Sequence, residues 1–289
     1  GSGYRTEFWE GQGRDYEDRT ERVALRRLLP PQGRRLLEVG AGFGRLTNEF
    51  KGYDQVILLD YSSTLLREAQ QRLGKSDRYV YVAANLYQSP INDGVCDAAT
   101  MIRVLHHMAD APAALAQVRR SLAPQAVFIL EFANKRNVKA ILRHLVRRQA
   151  NSPFDRTPLE FVELNFNFHP QYVYDVLSSL DFEITRVLAL SYLRVGLLKR
   201  AIPTDWLVKV DAILQHTGAW GAFSPSVFTR NVVQSTTPAA NFDGPLFKCP
   251  QCGATDWLED SHKLHCNHCD TDWAIEDGIY NFKSPINAD

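Results

Sequence analysis

The chain is sparing with cysteine, carries no net charge and has no long apolar run, and each lack closes off a class of protein. There are five cysteines in 289 residues. No secretory signal opens the chain, and no apolar stretch is long enough to cross a bilayer. Both point to a reducing, cytoplasmic setting in which disulfides are not expected. The opening Gly-Ser-Gly, in place of a methionine, reads as a cloning remnant. A formal charge of zero argues against bulk nucleic-acid binding through charge alone. That neutrality hides an asymmetry. From Asp243 onward there are nine acids against three lysines, so the remainder of the chain is net positive. Internal repeats and extended low-complexity tracts are absent.

What is present is concentrated in residues 36–44, Leu-Leu-Glu-Val-Gly-Ala-Gly-Phe-Gly. The apolar run predicts a buried parallel strand. Gly40, Gly42 and Gly44 predict a tight turn with a ligand lying against bare backbone. The segment from Arg45 to Lys51 is expected to start a helix whose free N–H groups face that ligand. In the dinucleotide fingerprint G-x-G-x-x-G the third glycine would fall at Arg45. Here it comes one residue early, and Glu38 stands two residues before the first glycine. A pyrophosphate would be repelled by that acid, whereas a zwitterion bearing an ammonium would be held by it. A nicotinamide cofactor, or a glycine turn with no ligand, remains the alternative on these residues alone.

The pattern E-x-G-x-G-x-G resembles motif I of class I S-adenosylmethionine (SAM) methyltransferases. The resemblance implies that the glycine loop passes the amino-acid end of SAM and that Glu38 helps hold its ammonium. The downstream residues extend it. Gln55 to Leu59 is apolar and ends at Asp60, where the family places an acid on the ribose hydroxyls. Tyr61 is a candidate for the adenine face, with a loop aromatic as the alternative. Arg78 to Ala83 predicts a third strand leading to Asn85 and Leu86. The family commonly carries Asp at the first of these, reading the adenine amino group, and the Asn85 side-chain carbonyl can accept the same bond. A fourth strand, Asp97 to Val104, brings Arg103 to the same end of the sheet. It leads into Val104-Leu105-His106-His107, similar to the small-molecule branch known as type 11. Leu122-Ala123-Pro124 and a strand from Ala126 to Phe132 follow. Strands at Phe182–Leu190 and Phe228–Gln234 fit the sixth and seventh positions, the seventh antiparallel. The fold expected is α/β, a doubly wound, Rossmann-like, seven-stranded methyltransferase sheet with a small C-terminal zinc-ribbon domain.

Four of the cysteines form Cys249-Pro-Gln-Cys252 and Cys266-Asn-His-Cys269. Two C-x-x-C knuckles at this separation predict a structural zinc (Zn2+) site, four thiolates filling a tetrahedron. His262, His265 and His268 are therefore not needed as ligands. With the strand Asp272–Tyr280, this segment resembles the small zinc-ribbon proteins that activate some tRNA and protein methyltransferases. Cys96 reads as a small buried residue.

The expected organisation is a SAM-dependent methyltransferase domain over 1–233, a linker over 234–245 rich in Ser, Thr, Pro, Ala and Asn, and the ribbon over 246–289. Substrate-side elements and an insertion occupy 134–230. Tyr4, Trp9 and Tyr16 are candidate contacts of an N-terminal lid. A basic helix is expected over 134–150, with six cations, no acid and an apolar stripe at helical spacing. It could be a solvated cover of the pocket, an anionic-lipid contact, an RNA contact, or the dock for the acidic ribbon. His106 and His107, near the reacting methyl, are the candidate catalytic pair, with His169 a third candidate. No Asn/Asp-Pro-Pro-aromatic motif follows the fourth strand, which disfavours methylation of base or glutamine nitrogens. The expected activity is methyl transfer from SAM to a small-molecule acceptor at O, C or N. A tRNA or rRNA methyltransferase is the second reading, and a non-catalytic SAM-binding protein whose ribbon recruits a partner is the third.

Overall fold

In the computed structural model the described residues are 13–286. Helix α1 (Asp15–Leu28) opens them, with acids in its first turn and arginines in its last, the arrangement its dipole favours, and buries Ala24, Leu25 and Leu28. β1 (Gly33–Val39), β2 (Tyr53–Asp60), α2 (Ser63–Leu73), β3 (Tyr79–Ala83) and β4 (Cys96–Met101) follow. Then come α3 (Ala111–Ser121), β5 (Leu122–Ala133), α4 (Val138–Leu145), a hairpin of β6 (Leu159–Val162) and β7 (Asn165–Asn167), and α5 (Pro170–Ser179). β8 (Phe182–Leu190), α6 (Gly196–Ala201), α7 (Thr204–Leu214) and β9 (Ser226–Val233) complete the larger part of the chain. The C-terminal segment supplies β10 (Trp257–Glu259), β11 (Lys263–Cys266), β12 (Thr271–Glu276) and β13 (Ile279–Asn281).

The central sheet runs β3-β2-β1-β4-β5-β9-β8, with β9 antiparallel to both its neighbours and the other contacts parallel. Leu36 and Leu37 in β1, and Val56 to Leu59 in β2, are buried on both faces, the continuous apolar run a covered parallel sheet requires. The doubly wound fold is as expected. Two local expectations fail. After the glycine loop no α-helix forms, only turns and a 3-10 segment at Thr47–Glu49. The chain has only seven residues between Gly44 and Gly52 in which to return to β2. Thr47 spends its hydroxyl on Glu38 and Phe50 drops into the core, so the ligand side of the loop has no helix dipole behind it. The basic helix expected over 134–150 is shorter, helical only over Val138–Leu145, with Asn137 capping its start.

The C-terminal strands extend the same sheet. β13 pairs in parallel with β3, Ile279 opposite Tyr81, Tyr280 opposite Val82 and Asn281 opposite Ala83, giving eleven strands. The expected dock on the basic segment 134–150 is therefore corrected: the ribbon sits on the far edge of the sheet. Its acids meet cations of α2 and the turn beyond, Arg67 with Glu276 at 2.8 Å and Lys75 with Asp277 at 2.5 Å. Exposed pairs of this kind are worth little. Burial of Ile279 and Phe282, and the satisfaction of an open strand edge, decide the placement. The segment 234–245 is fastened like a strap below the sheet. Thr237 accepts from Arg119, the Asn241 amide donates to Gly94, and the Asn92 side chain donates to Pro245.

Candidate active site

A hollow of about 350 Å³ opens where β1, β2, β3 and β4 end, the crevice where open α/β sheets bind ligands. Gly40, Gly42, Asp60, Tyr61, Asn85, Leu86, Arg103 and His107 all line it. Gly44 and His106 are not among the residues that line it.

The three glycines have φ of +68°, +55° and +72°, a region costly for side chains. Their surroundings differ. A Cβ on Gly40 would come within 2.1 Å of Val104 Cγ2, whereas one on Gly42 would meet nothing within 4 Å. Gly40 lets the loop pack against the chain after β4, and Gly42 leaves its backbone open to the cavity. The loop is held from below, since the Gly42 amide donates to Asp60 Oδ2 and the Ser62 amide to Asp60 Oδ1, both at 2.8 Å. Asp60 thus shapes the loop as well as facing the hollow. Burial pushes its carboxyl above the usual range, against the pull of these amides.

Glu38 ends the floor of the pocket. It is buried, and Oε2 accepts the Thr47 hydroxyl at 2.6 Å. Oε1 has no hydrogen-bond partner among the described residues. Burial raises this carboxyl to about 7. Arg45 does not neutralise it directly. Its guanidinium turns to α1, to Asp18 and to Glu21, the latter at 2.7 Å. A buried acid with an open oxygen on a cavity suits an incoming cation.

Arg103 takes an unexpected part. Its φ is +60°, its amide donates to Glu131 at 2.8 Å, and its side chain bonds Glu21 at 2.6 Å. Glu131 in turn accepts from Ser226 at 2.6 Å. Both carboxylates are buried. Burial opposes ionisation of Glu21, yet Arg103 and Arg45 hold it below the usual range. The guanidinium is thus engaged by Glu21 of α1 while the backbone amide holds Glu131 of β5, so the residue ties α1 to β5 at the cavity wall. Asn85 also has a local task, its side-chain oxygen capping the next turn by accepting from Tyr87 at 3.1 Å. Tyr61 is 68% exposed at the rim.

The two histidines part company. Their rings lie 4.0 Å apart. Burial, with His107 alongside, pulls His106 down to about 3, so it is a neutral packing group. His107 faces the hollow, and its Nδ1 lies 3.2 Å from the Leu164 carbonyl. A carbonyl only accepts, so Nδ1 donates, and in the neutral form of the ring Nε2 is the acceptor. His169 lies elsewhere, capping α5 through Nδ1. Tyr16 is no lid contact either: it is buried and hydrogen-bonds Asp211 against α7. Tyr4 and Trp9 lie outside the described residues. Thr47, Thr100, Tyr87, Met108, Glu21 and Glu131 were missed by sequence reasoning. Tyr87 and Met108 follow closely on recognised positions, but nothing in the spacing marks Glu21 or Glu131.

In the ribbon, the sulfurs of Cys249, Cys252, Cys266 and Cys269 lie within 4.8 Å of one another. Cys249 and Cys269 are 3.7 Å apart, and Cys252 and Cys266 are 3.6 Å apart. Disulfides would need about 2.05 Å. Zn–S bonds of about 2.3 Å at tetrahedral angles set sulfurs about 3.8 Å apart, so this donor set fits a zinc ion. His265 is engaged instead by Asp272 at 2.7 Å. Cys96 is fully buried in the main core, where burial raises its thiol to about 12.

Comparison with known proteins accords with this geometry. Residues 37–130 match the type 11 family described as a methyltransferase domain. An O-methyltransferase of Penicillium expansum, cnsE, is 32% identical over 118 residues, 39% of this chain and 43% of that protein. The 2-phytyl-1,4-naphtoquinone methyltransferase of Trichormus variabilis is 35% identical over 97 residues, 32% of this chain and 42% of that protein. The chain thus spans less than half the length of the curated relatives it matches. Among solved structures, a SAM-dependent methyltransferase of Mesorhizobium loti superposes with TM-score 0.54 at 20% identity, covering 74% of this chain and 97% of that one. At that identity the likeness establishes the fold.

Proposed function

We propose that this chain transfers a methyl group from SAM to a small-molecule acceptor, with a hydroxyl as the acceptor group favoured by the site. Glu38 carries this reading: a buried carboxylate with an open oxygen at the floor of a glycine-loop pocket suits the ammonium of SAM and would repel a pyrophosphate. When bound, SAM supplies an electrophilic methyl on a sulfonium, open to in-line displacement. The chain's own residues then have to hold and align the reactants, worth roughly 7–11 kcal/mol when done well. Glu38 takes the ammonium, the Gly42 backbone leaves room for the amino-acid end, and Asp60 has lone pairs left for ribose hydroxyls. Tyr61 and Asn85 flank the adenine side. On the acceptor side, Nε2 of His107 takes the hydroxyl proton in this reading, its ring held by the Leu164 carbonyl. Ile102, Val104 and Met108 give that side an apolar lining. The two relatives' names, an O-methyltransferase and a naphthoquinone methyltransferase, agree with a small acceptor.

The four ribbon cysteines hold a structural zinc in this reading, and the module's task is to secure the β3 edge. Isotope-labelled SAM incubated with the protein and a fractionated cell extract tests the activity. Label is expected in the small-molecule or lipid fraction. Label in the RNA fraction alone, or SAM binding with no label in any fraction, would replace the proposal with one of its two competitors.

A further inference from the structure

We infer that α4 and the arginines just beyond it form a docking face for an anionic lipid surface. Helix α4 is attached to the body by little. Asn137 caps it, the Val138 amide donates to Phe223 at 2.9 Å, and Ala140 is its only buried residue. Val138, Leu142 and Leu145, at i, i+4 and i+7, share one face, and that face looks outward. Leu142 and Leu145 are 56% and 67% exposed. A water-facing leucine stripe on a short helix is unfavourable unless something covers it.

The charges beside the stripe identify what covers it. Lys139 and Arg143 flank it, and Arg147 and Arg148 follow its last turn. None of these four makes an ion pair among the described residues, and residues 134–150 contain no acid. Apolar side chains that can enter an acyl layer, with free cations at headgroup level, are the composition of an interfacial helix. A second copy meeting this face across a two-fold axis would set these cations against one another. RNA would satisfy the cations but leave the leucines facing phosphates. Trp220, 91% exposed on the loop beside Arg136, adds an aromatic suited to the headgroup region.

The chain leading into α4 is joined to the hairpin that touches the active site. Phe168 bridges to Asn134 and accepts from the Lys135 amide at 3.0 Å, just before α4 begins. The β6–β7 hairpin before it brings the Leu164 carbonyl to His107.

Sedimentation of the full chain with lipid vesicles, without SAM, tests the docking independently of methyl transfer. Binding is expected to vesicles containing about one-third phosphatidylglycerol and not to pure phosphatidylcholine, and to fall with added salt. The L142E/L145E double variant removes two apolar anchors and should weaken binding at least about a hundredfold. R143E/R147E/R148E should do the same, since each cation near an anionic surface contributes roughly a factor of five. Both variants change exposed residues and should keep the SAM affinity of the unaltered chain, which controls for folding. Absence of binding to the anionic vesicles, or binding that survives both variants, would overturn the inference. So would a solution dimer dissolved by L142E/L145E, or tight RNA binding lost in the arginine variant.

Discussion

The ammonium of Lys283 lies 5.5 Å from the centre of the Tyr61 ring. One residue belongs to the cysteine-bearing module and the other to the rim of the cofactor pocket. One residue earlier, the Phe282 amide donates to the Ala83 carbonyl at 2.7 Å, at the point where β3 hands the chain to Ala84 and Asn85. We expect metal removal by a chelator under reducing conditions to lower the thermal midpoint and to weaken SAM binding together. Structural zinc supplies on the order of 10 kcal/mol to such a module. Lys283→Ala, which removes only the ring contact, should weaken SAM binding by less than about fivefold. Calorimetry and thermal melts check both. A stripped protein with unchanged SAM affinity would detach the ribbon from the pocket.

With Glu38 holding the ammonium as proposed, SAM binding is expected to depend on pH. Burial lifts its carboxyl to about 7, so the free protein carries it increasingly neutral as pH falls below that value. A bound ammonium stabilises the ionised form. Binding at lower pH therefore releases a proton, and affinity falls as pH falls, approaching about tenfold per unit below pH 6. Glu38→Gln should bind weakly and lose this dependence. An affinity for SAM flat from pH 5.5 to 7.5 in the unaltered chain would contradict the assignment.

The glycines separate stability from binding. Gly40→Ala forces a Cβ into Val104 at a left-handed φ, and should cost about 2 kcal/mol or more of stability. Gly42→Ala meets no protein atom within 4 Å. It should cost about 1 kcal/mol in the fold, yet reduce SAM affinity by a larger factor, since its methyl enters the ligand's space. Denaturant titration and calorimetry on both variants read the contrast.

Glu21→Ala removes the acid shared by Arg103 and Arg45. Leaving buried guanidinium groups without it should cost about 3–5 kcal/mol. Combining it with Arg103→Met should return part of that loss. A fully additive pair would show that the two side chains are not coupled.

His107→Asn should lower the methylation rate by roughly 10²-fold or more if Nε2 takes the acceptor's proton, with SAM affinity unchanged. His106→Asn should act on stability instead. Equal rate losses from both would favour a packing role for the pair.

Much of this site was legible in the sequence because its parts are local. The strand at 36–39, its glycines, Asp60 at the end of the next strand and the two cysteine knuckles each announce themselves by spacing. In a doubly wound sheet the strand ends converge, so Glu38, Gly40, Asp60 and Asn85 had to meet once the strands were recognised. Spacing could not show what Arg45 and Arg103 face. Their partners, Asp18, Glu21 and Glu131, come from a helix and a strand distant in sequence, and only packing brings them together. The apparent start of a helix after Gly44 failed for the same reason, since its hydroxyl and its phenyl ring were claimed by the core. Net charge suggested that the acidic ribbon would seek the basic segment. Tertiary structure decided otherwise, because a free strand edge and buried apolar side chains outweigh solvent-screened charges. That choice put the ribbon beside the cofactor rim and left the basic face of α4 uncovered.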